Sequence, residues 1–387
     1  MSKKIAILTD WLSPRGGAEK VFLDLIKIFP DADIFTTIFN KKNFPELKGK
    51  KIITSSLQKL PKIFRKHTLL MPFYPKVVEE FDFSGYDFVI GSSSNITKGI
   101  ITNPETKYIC YCHTPVRALW SEHKMFENDP RYKLFPNFLL QNLLHNLRIK
   151  DFLASQRVDQ FVANSEFIAK RIQKFYRKNA EIIYPNCEIK IAKDYKKEKG
   201  EYFFVNCRLV PTKKVGFLIK TFNNIAKNYP EIKNKKIKIL GKGPELKNLK
   251  KLIKNGIFGE NGEKKFGDNS ENIEIIEVDE KKFSEQREKL MSKAIAFLHP
   301  QIEDFGITPI EAQQFGVPVI GFGKGGILET VQAGKTGEFF YEEKEESLID
   351  VIKNFDETKY LKENFEKNVK KFNFENFKKK ILEIVEK

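Results

Sequence analysis

The sequence predicts an α/β protein built from two parallel sheets, each covered on both faces by helices. Three observations carry this. The chain's 387 residues exceed what one hydrophobic core serves, since cores stop growing near ~250–300 residues. Short apolar runs of strand length alternate with helical segments along the chain, the pattern of parallel strands buried on both faces. The alternation occurs twice, and the polar, lysine-rich residues 188–200 between the two series read as an interdomain linker.

Taken in order, the first series is KIAILTD, ADIFTTIF, KIITSSL, DFVIGSSS, KYICYCH and QFVANS, closed by NAEIIYP at residues 179–185. The second is YFFVNCRL, KIKILGKG, NIEIIEV, AIAFLHP, VPVIGFG and TGEFFY. The implied division is 1–187 for a first domain, 201–365 for a second, and 366–387 for a C-terminal helix that packs back on the first. In that last segment Phe374, Phe377, Ile381, Ile384 and Val385 lie roughly on one helical face. The polar, Gly- and Asn-rich residues 255–272 read as a surface excursion between a helix and a strand. Open parallel sheets bind ligands at the carboxyl ends of their strands. Two such domains face to face make a cleft lined by both sets of loops.

Composition narrows the function classes. With 41% hydrophobic and 31% charged residues the chain reads as folded and soluble. Cys110, Cys112, Cys187 and Cys207 form neither a CxxC pair nor a zinc spacing, so a reduced, cytoplasmic setting is the simplest. No charge-free apolar run approaches the ~20 residues of a membrane helix. Of 68 basic residues 58 are lysine, and the net charge of +17 is uneven: residues 1–185 carry 29 basic and 18 acidic side chains. That excess suits an anionic partner. A nucleic-acid binder is disfavoured, because the lysines are spread out, arginines are few and no base-stacking motif occurs.

The segment HPQIEDFGITPIEAQQFGVPVIGFGKGGILETV is the most informative. A strand leads into a loop holding Glu303 and Gly306, and Thr308 and Pro309 suit the first turn of a helix that contains Glu311. Backbone N–H groups around Phe305, Gly306, Ile307 and Thr308 then face a phosphate-sized site at a helix N-terminus. A carboxylate would repel that phosphate, so Glu303 and Glu311 suit hydroxyls of a sugar ring or ribose. The alternative is acidic residues merely complementing the helix dipole. Gly16 and Gly17 after the first strand leave room for close backbone approach. They are not a GxGxxG fingerprint, which disfavours a nicotinamide enzyme.

Glu303-x7-Glu311 followed by Gly316, Pro318 and Gly325-Gly326 resembles the signature of the retaining, family 4 glycosyltransferases of the GT-B fold. Further segments match in order: SPRGGAEKV resembles the first glycine loop, CHTPVRALW the histidine loop, CRLVPTKKVGFLIKTF the donor Arg…Lys motif, and LGKGPEL the nucleotide-side glycine loop. The wording EDFGITPIEA with CHTPVRALW is most similar to mannosyltransferase-like members that build surface polysaccharides. The resemblance implies two Rossmann-like domains facing a central cleft, with the acceptor on the first and a GDP- or UDP-linked sugar on the second.

Residue by residue, the resemblance implies Arg208 and Lys213 on the donor diphosphate, with Lys214 as competitor for the second role. Fixed cations there stabilise the charge that grows on a leaving diphosphate. It implies Glu311 on the ribose hydroxyls, Glu303 on the transferred sugar, and Gly16, Gly17, Gly241, Gly243, Phe305, Gly306, Ile307 and Thr308 along the nucleotide sugar. His113 would lie against the sugar, while His67, His123, His145 and His299 read as packing residues. No metal or other cofactor is implied, and no DxD follows a strand. Asp279 and Glu280 stand where many relatives carry a glycine, so the base-reading loop departs from the pattern. A disaccharide phosphorylase or synthase of the same fold is the nearest alternative.

Residues 56–77 interleave Lys59, Lys62, Arg65, Lys66 and Lys76 with Leu60, Ile63, Phe64, Leu69, Leu70, Met71, Phe73 and Tyr74. Such a mixture suits a peripheral segment in an anionic headgroup layer, or an ordinary helix and loop. A polyprenyl-linked acceptor would bring the protein to that surface.

Overall fold

The computed structural model describes residues 3–13, 15–61, 73–124, 136–255 and 271–386. The chain divides into two compact units, Met1–Asn186 with Phe374–Lys387, and Cys187–Asn373.

Unit one carries β1 (Ile5–Thr9), β2 (Asp33–Thr36), β3 (Ile52–Thr54), β4 (Phe88–Ser93), β5 (Lys107–Cys112), β6 (Gln160–Ala163) and β7 (Ala180–Ile182). They pair in the order β3-β2-β1-β4-β5-β6-β7, all parallel. Helices α1 (Gly17–Ile28), α2 (Asn137–Gln156) and α3 (Glu166–Tyr176) join them. In unit two, β8 (Tyr202–Asn206), β9 (Ile237–Leu240), β10 (Ile273–Ile276), β11 (Ala294–His299), β12 (Val319–Phe322) and β13 (Gly337–Phe340) pair as β10-β9-β8-β11-β12-β13, again all parallel. Its helices are α4 (Val215–Asn228), α5 (Leu246–Asn255), α6 (Phe283–Ser292), α7 (Ile307–Gln314), the short α8 (Ile327–Thr330), α9 (Glu345–Lys353) and α10 (Lys362–Val369). Every strand falls on one of the apolar runs read from the sequence.

The burial pattern explains why those runs are continuous. Central strands β4, β8, β11 and β12 are buried at every position, whereas edge strands β3 and β7 are largely half-exposed. A strand covered by helices on both faces has no side on which a polar residue reaches water. The strand order reverses between β1 and β4 and between β8 and β11. At each reversal neighbouring crossovers leave in opposite directions and open a crevice at the carboxyl ends of the strands.

Two sequence boundaries need correction. Residues 188–200 are no free linker: Ile189, Ile191 and Tyr195 pack on the core of unit two, and the Tyr195 hydroxyl donates to Phe315 O (3.0 Å). Lysines on the outer side of this segment masked its inner apolar side. Nor does one helix cover 366–387. α10 ends at Val369 and stays with unit two because fully buried Asn368 donates to Gln313 Oε1 (2.7 Å) and Thr330 O (2.9 Å). The last helix, α11 (Phe374–Glu386), packs within unit one. Its Phe377, Ile381, Ile384 and Val385 join the core beneath β1, with Phe377 edge-on to Tyr111 at 5.9 Å. Each such side chain contributes roughly 1.5–3 kcal/mol.

Unit one also buries a charge. Lys98 is wholly inaccessible, with Nζ 3.3 Å from Asp151 Oδ1. Asp151 Oδ2 accepts from Trp120 Nε1 (2.8 Å) and the Tyr176 hydroxyl (2.7 Å). Burial works against the Lys98 charge, but the surrounding groups, Asp151 first among them, together offset it and raise the ammonium pKa above its ordinary value. No described helix is long and apolar enough to cross a membrane. Residues 62–72 of the basic, apolar segment, with His67, Lys62, Arg65 and Lys66, lie outside the described residues.

Candidate active site

In unit two the sequence-selected residues gather on loops at the carboxyl ends of β8, β9, β11 and β12. Arg208 leaves β8 on an exposed loop, and its guanidinium makes no hydrogen bond or ion pair among the described residues. A 3-10 turn (Pro211–Lys213) follows, and Lys214, with left-handed φ of 52°, opens α4. That turn sends the two lysines apart. Lys213 Nζ pairs with Glu303, while Lys214 Nζ pairs with Glu343 (2.5 Å) and lies 5.5 Å from the Phe322 ring.

Glu303 therefore meets Lys213 directly, although the resemblance implies separate targets for the two. The carboxylate also accepts from Gln301 Nε2 (3.1 Å), and its second oxygen lies 3.7 Å from His299 Nε2. Gln301 Nε2 is in turn 3.2 Å from His299 Nδ1. Burial pushes the Glu303 carboxyl up, but the charge that His299 carries once protonated below about pH 4, the Lys213 charge and the hydrogen bonds from Lys213 and Gln301 hold it at about 2. His299 is buried enough that its pKa falls to about 4, so the ring is neutral near pH 7. Reading His299 as simple packing missed its place beside Glu303. Its Nε2 and the Gln301 Oε1 have no hydrogen-bond partner among the described residues.

Gly306 caps α7 with φ of +97°, a left-handed conformation that strains any other residue. The N–H groups of Ile307 and Thr308 begin the helix and meet no acceptor among the described residues, while Pro309 has none to offer. Phe305 is buried, its ring 5.7 Å from Phe372. The Gly325-Gly326 turn after β12 packs on this loop: Gly326 N donates to Glu303 O (2.9 Å), and a Cβ on Gly326 would lie 2.4 Å from Phe305 Cα.

Glu311 on α7 pairs with Arg287 of α6 at 3.1 Å, and the Arg287 guanidinium stacks near Phe283 and Phe315 at 5.3 and 5.6 Å. Arg287 lies outside every motif read from the sequence. Gly241 and Gly243 sit directly under the β8 loop. A Cβ on Gly241 would lie 2.4 Å from Cys207 O and one on Gly243 2.3 Å from Leu209 O. They bring the glycine loop against the backbone flanking Arg208. Glu280, in the segment that departs from the family pattern, pairs with Lys242 between those glycines.

In unit one, Gly16 and Gly17 open α1 after β1, and His113 follows β5. His113 N donates to Ser93 O (2.8 Å), its Nε2 is 2.8 Å from Ser92 Oγ, and its carbonyl accepts from Asn164 Nδ2 (3.2 Å). Buried Asp10, at the end of β1, accepts from the N–H groups of Ser94, Ile96 and Thr97 at 2.7, 2.8 and 3.0 Å. It thereby fixes the turn after β4. The run GSSS that supplies Ser92 read only as a strand end.

Burial lowers the His113 pKa from 6.5 to about 4. Between those values the unfolded chain binds a proton that the folded unit refuses. Stability is therefore fully present above about pH 6.5 and falls as the pH drops to about 4. The slope is at most about 1.4 kcal/mol per pH unit. Both tryptophans, Trp11 and Trp120, lie in unit one, so their fluorescence in urea reports its unfolding. His113→Gln is expected to remove that part of the slope; an unchanged slope would refute the assignment.

Two doubly wound parallel units, with an acid–lysine pair and a helix N-terminus lacking a side-chain cap at the switch point of the second, fit a glycosyltransferase of the GT-B fold. Residues 188–372 match the family described as "Glycosyl transferases group 1". A stretch of 75 residues is 40% identical to the Alpha-1,3/1,6-mannosyltransferase ALG2 of Dictyostelium discoideum, covering 19% of this chain and 17% of that protein. The fold is similar to Anabaena HepE in complex with UDP and glucose, at 18% identity and a TM-score of 0.63 over 100% of both chains. It is also similar to sucrose-phosphate synthase of Thermosynechococcus elongatus, at 14% identity and a TM-score of 0.64 over 100% of this chain and 98% of that one.

Proposed function

We propose that this glycosyltransferase moves a hexose, mannose in the first instance, from a nucleoside-diphosphate sugar to a glycan or lipid-linked glycan, with retention of configuration. The observation that carries the reading is the Lys213–Glu303 pair beside the N-terminus of α7. A leaving diphosphate gains negative charge as the glycosidic bond breaks, and Lys213, Arg208 and the N–H groups of Ile307 and Thr308 would stabilise it most in the transition state. Arg208 can clamp two oxygens while Lys213 acts as a point charge.

Glu303 would take sugar hydroxyls through the oxygen turned to His299, its other oxygen being occupied by Lys213 and Gln301. A carboxylate so committed suits positioning rather than covalent attack, and the acceptor proton would go to the departing phosphate. Glu311, held by Arg287, would take ribose hydroxyls, and neutral His113 would meet the sugar from the acceptor side. The mannosyltransferase name of the partial relative supports mannose, whereas HepE holds UDP and glucose. The lipid-linked acceptor, surface polysaccharide synthesis and a cytoplasmic, membrane-peripheral location belong to the same proposal.

Thermal unfolding with GDP-mannose, UDP-glucose, ADP-glucose and the free nucleotides tests it. A donor at a hundredfold excess over its Kd is expected to raise Tm of the unit that binds it by roughly 5–10 °C. No shift with any nucleotide sugar would overturn the reading.

A further inference from the structure

Helix α2 is apolar on both sides. Leu140, Leu144 and Leu147 face the core, but Phe138, Leu139, Leu143, Ile149 and Leu153 point outward, Phe138 at 69% and Leu153 at 57% exposure. They are half of the ten large hydrophobic side chains that stand exposed among the described residues. An apolar stripe of this length left in water marks a contact surface.

The charges around it indicate what it contacts. The only acidic residue of α2, Asp151, is buried and bound to Lys98, so the outer face carries no carboxylate. Lys150 stands exposed on the helix and Lys76 beside it, neither with an ion-pair partner among the described residues. The nearby acid Glu79 is taken by Arg157 at 2.7 Å. Leu153 also lines a cavity of about 250 Å³ between α2 and the turns after β4 and β5, whose apolar lining includes Ile96, Val116 and Leu119. Asp10 fixes the first of those turns. A second copy of the chain would not require an acid-free face; an anionic bilayer does, because lysines attract its headgroups and carboxylates are repelled.

We propose that α2 is a docking helix for an anionic lipid bilayer. It lies along the surface with its apolar stripe in the headgroup layer, Lys76 and Lys150 meet lipid phosphates, and the cavity beside Leu153 receives part of a hydrocarbon chain. This rests on the reading that the acceptor is lipid-linked, and it places the contact on α2 and the neighbouring Lys76 rather than on the rest of residues 56–77.

The full chain is expected to sediment with phosphatidylglycerol vesicles and far less with phosphatidylcholine vesicles. Leu139→Asp with Leu153→Asp should weaken this by about tenfold or more, and Lys76→Glu with Lys150→Glu should do so on phosphatidylglycerol alone. All four positions are outside the fold's core, and unchanged circular dichroism and nucleotide-sugar thermal shifts would show that the variants fold. Absence of wild-type binding, wild-type binding by the leucine variant, or conversion of a dimer to a monomer by that variant would overturn the proposal. Vesicle binding lost in the variants of a protein that takes no nucleotide sugar would sink the transferase reading and leave the docking surface standing; the reverse pattern would sink the docking surface alone.

Discussion

Lys213→Ala is expected to lower sugar transfer by about 10²–10³-fold, the loss typical of removing one preorganised charge from a transition state, while Lys214→Ala leaves transfer near the wild-type rate. The two lysines are adjacent in sequence but answer to different partners, Glu303 for the first and Glu343 for the second. The loss should fall mainly on kcat, because the cation matters most when the diphosphate departs. A pH consequence follows. Although burial raises it, the Glu303 carboxyl sits at about 2 because of nearby charges and hydrogen bonds, Lys213 prominent among them. Its stabilising share is present above the unfolded value of 4.5 and is lost as the pH falls through about 2. Without Lys213 that limb moves upward, so residual activity should fail at a higher pH than in the wild type. Equal transfer by the two alanine variants, in an assay with donor in excess, would remove Lys213 from the site.

Lys98→Met should destabilise unit one by about 3–5 kcal/mol, read by tryptophan fluorescence in urea. The mutation leaves the Asp151 carboxylate buried with two neutral donors, Trp120 and Tyr176, and no counter-charge. Adding Asp151→Asn should recover part of the loss, because an amide costs less to bury than an uncompensated carboxylate. The recovery separates lost charge balance from lost packing. If the double variant is as unstable as the sum of the single ones, the pair is not coupled and the packing of the lysine stem carries the effect.

The strands were legible for a physical reason: a parallel strand buried on both faces must be a continuous apolar run, and β4, β8 and β11 are such runs. Their lateral order was not, because a right-handed crossover can carry the chain to either neighbouring edge without changing local composition. At the site, residues at strand ends could be picked out by position, while their partners could not. Arg287 lies 24 residues before Glu311 and on another helix, and its only signal was an arginine in a chain that otherwise uses lysine. His299 and Gln301 did leave a usable trace. They precede Glu303 at intervals of two, and extended chain turns alternate residues to the same side. The cohesion of residues 188–200 with unit two was hidden by lysines, whose charges outweigh three inward apolar side chains in any average over the segment.

The glycines beneath the β8 loop have a mechanical consequence. Gly241 and Gly243 touch the main chain of Cys207 and Leu209 with no side-chain cushion, and Leu209 N and O bond to the same glycine loop and its exit, at 2.9 and 3.1 Å. Two ribbons in such contact have no slack to slide or tilt separately, so they behave as one stiff plate under Arg208. If a nucleotide sugar binds over this plate, as proposed, accommodation of donors that differ in bulk would come from longer side chains at the rim, such as Lys242 with Glu280, and swapping those would change preference without bending the plate.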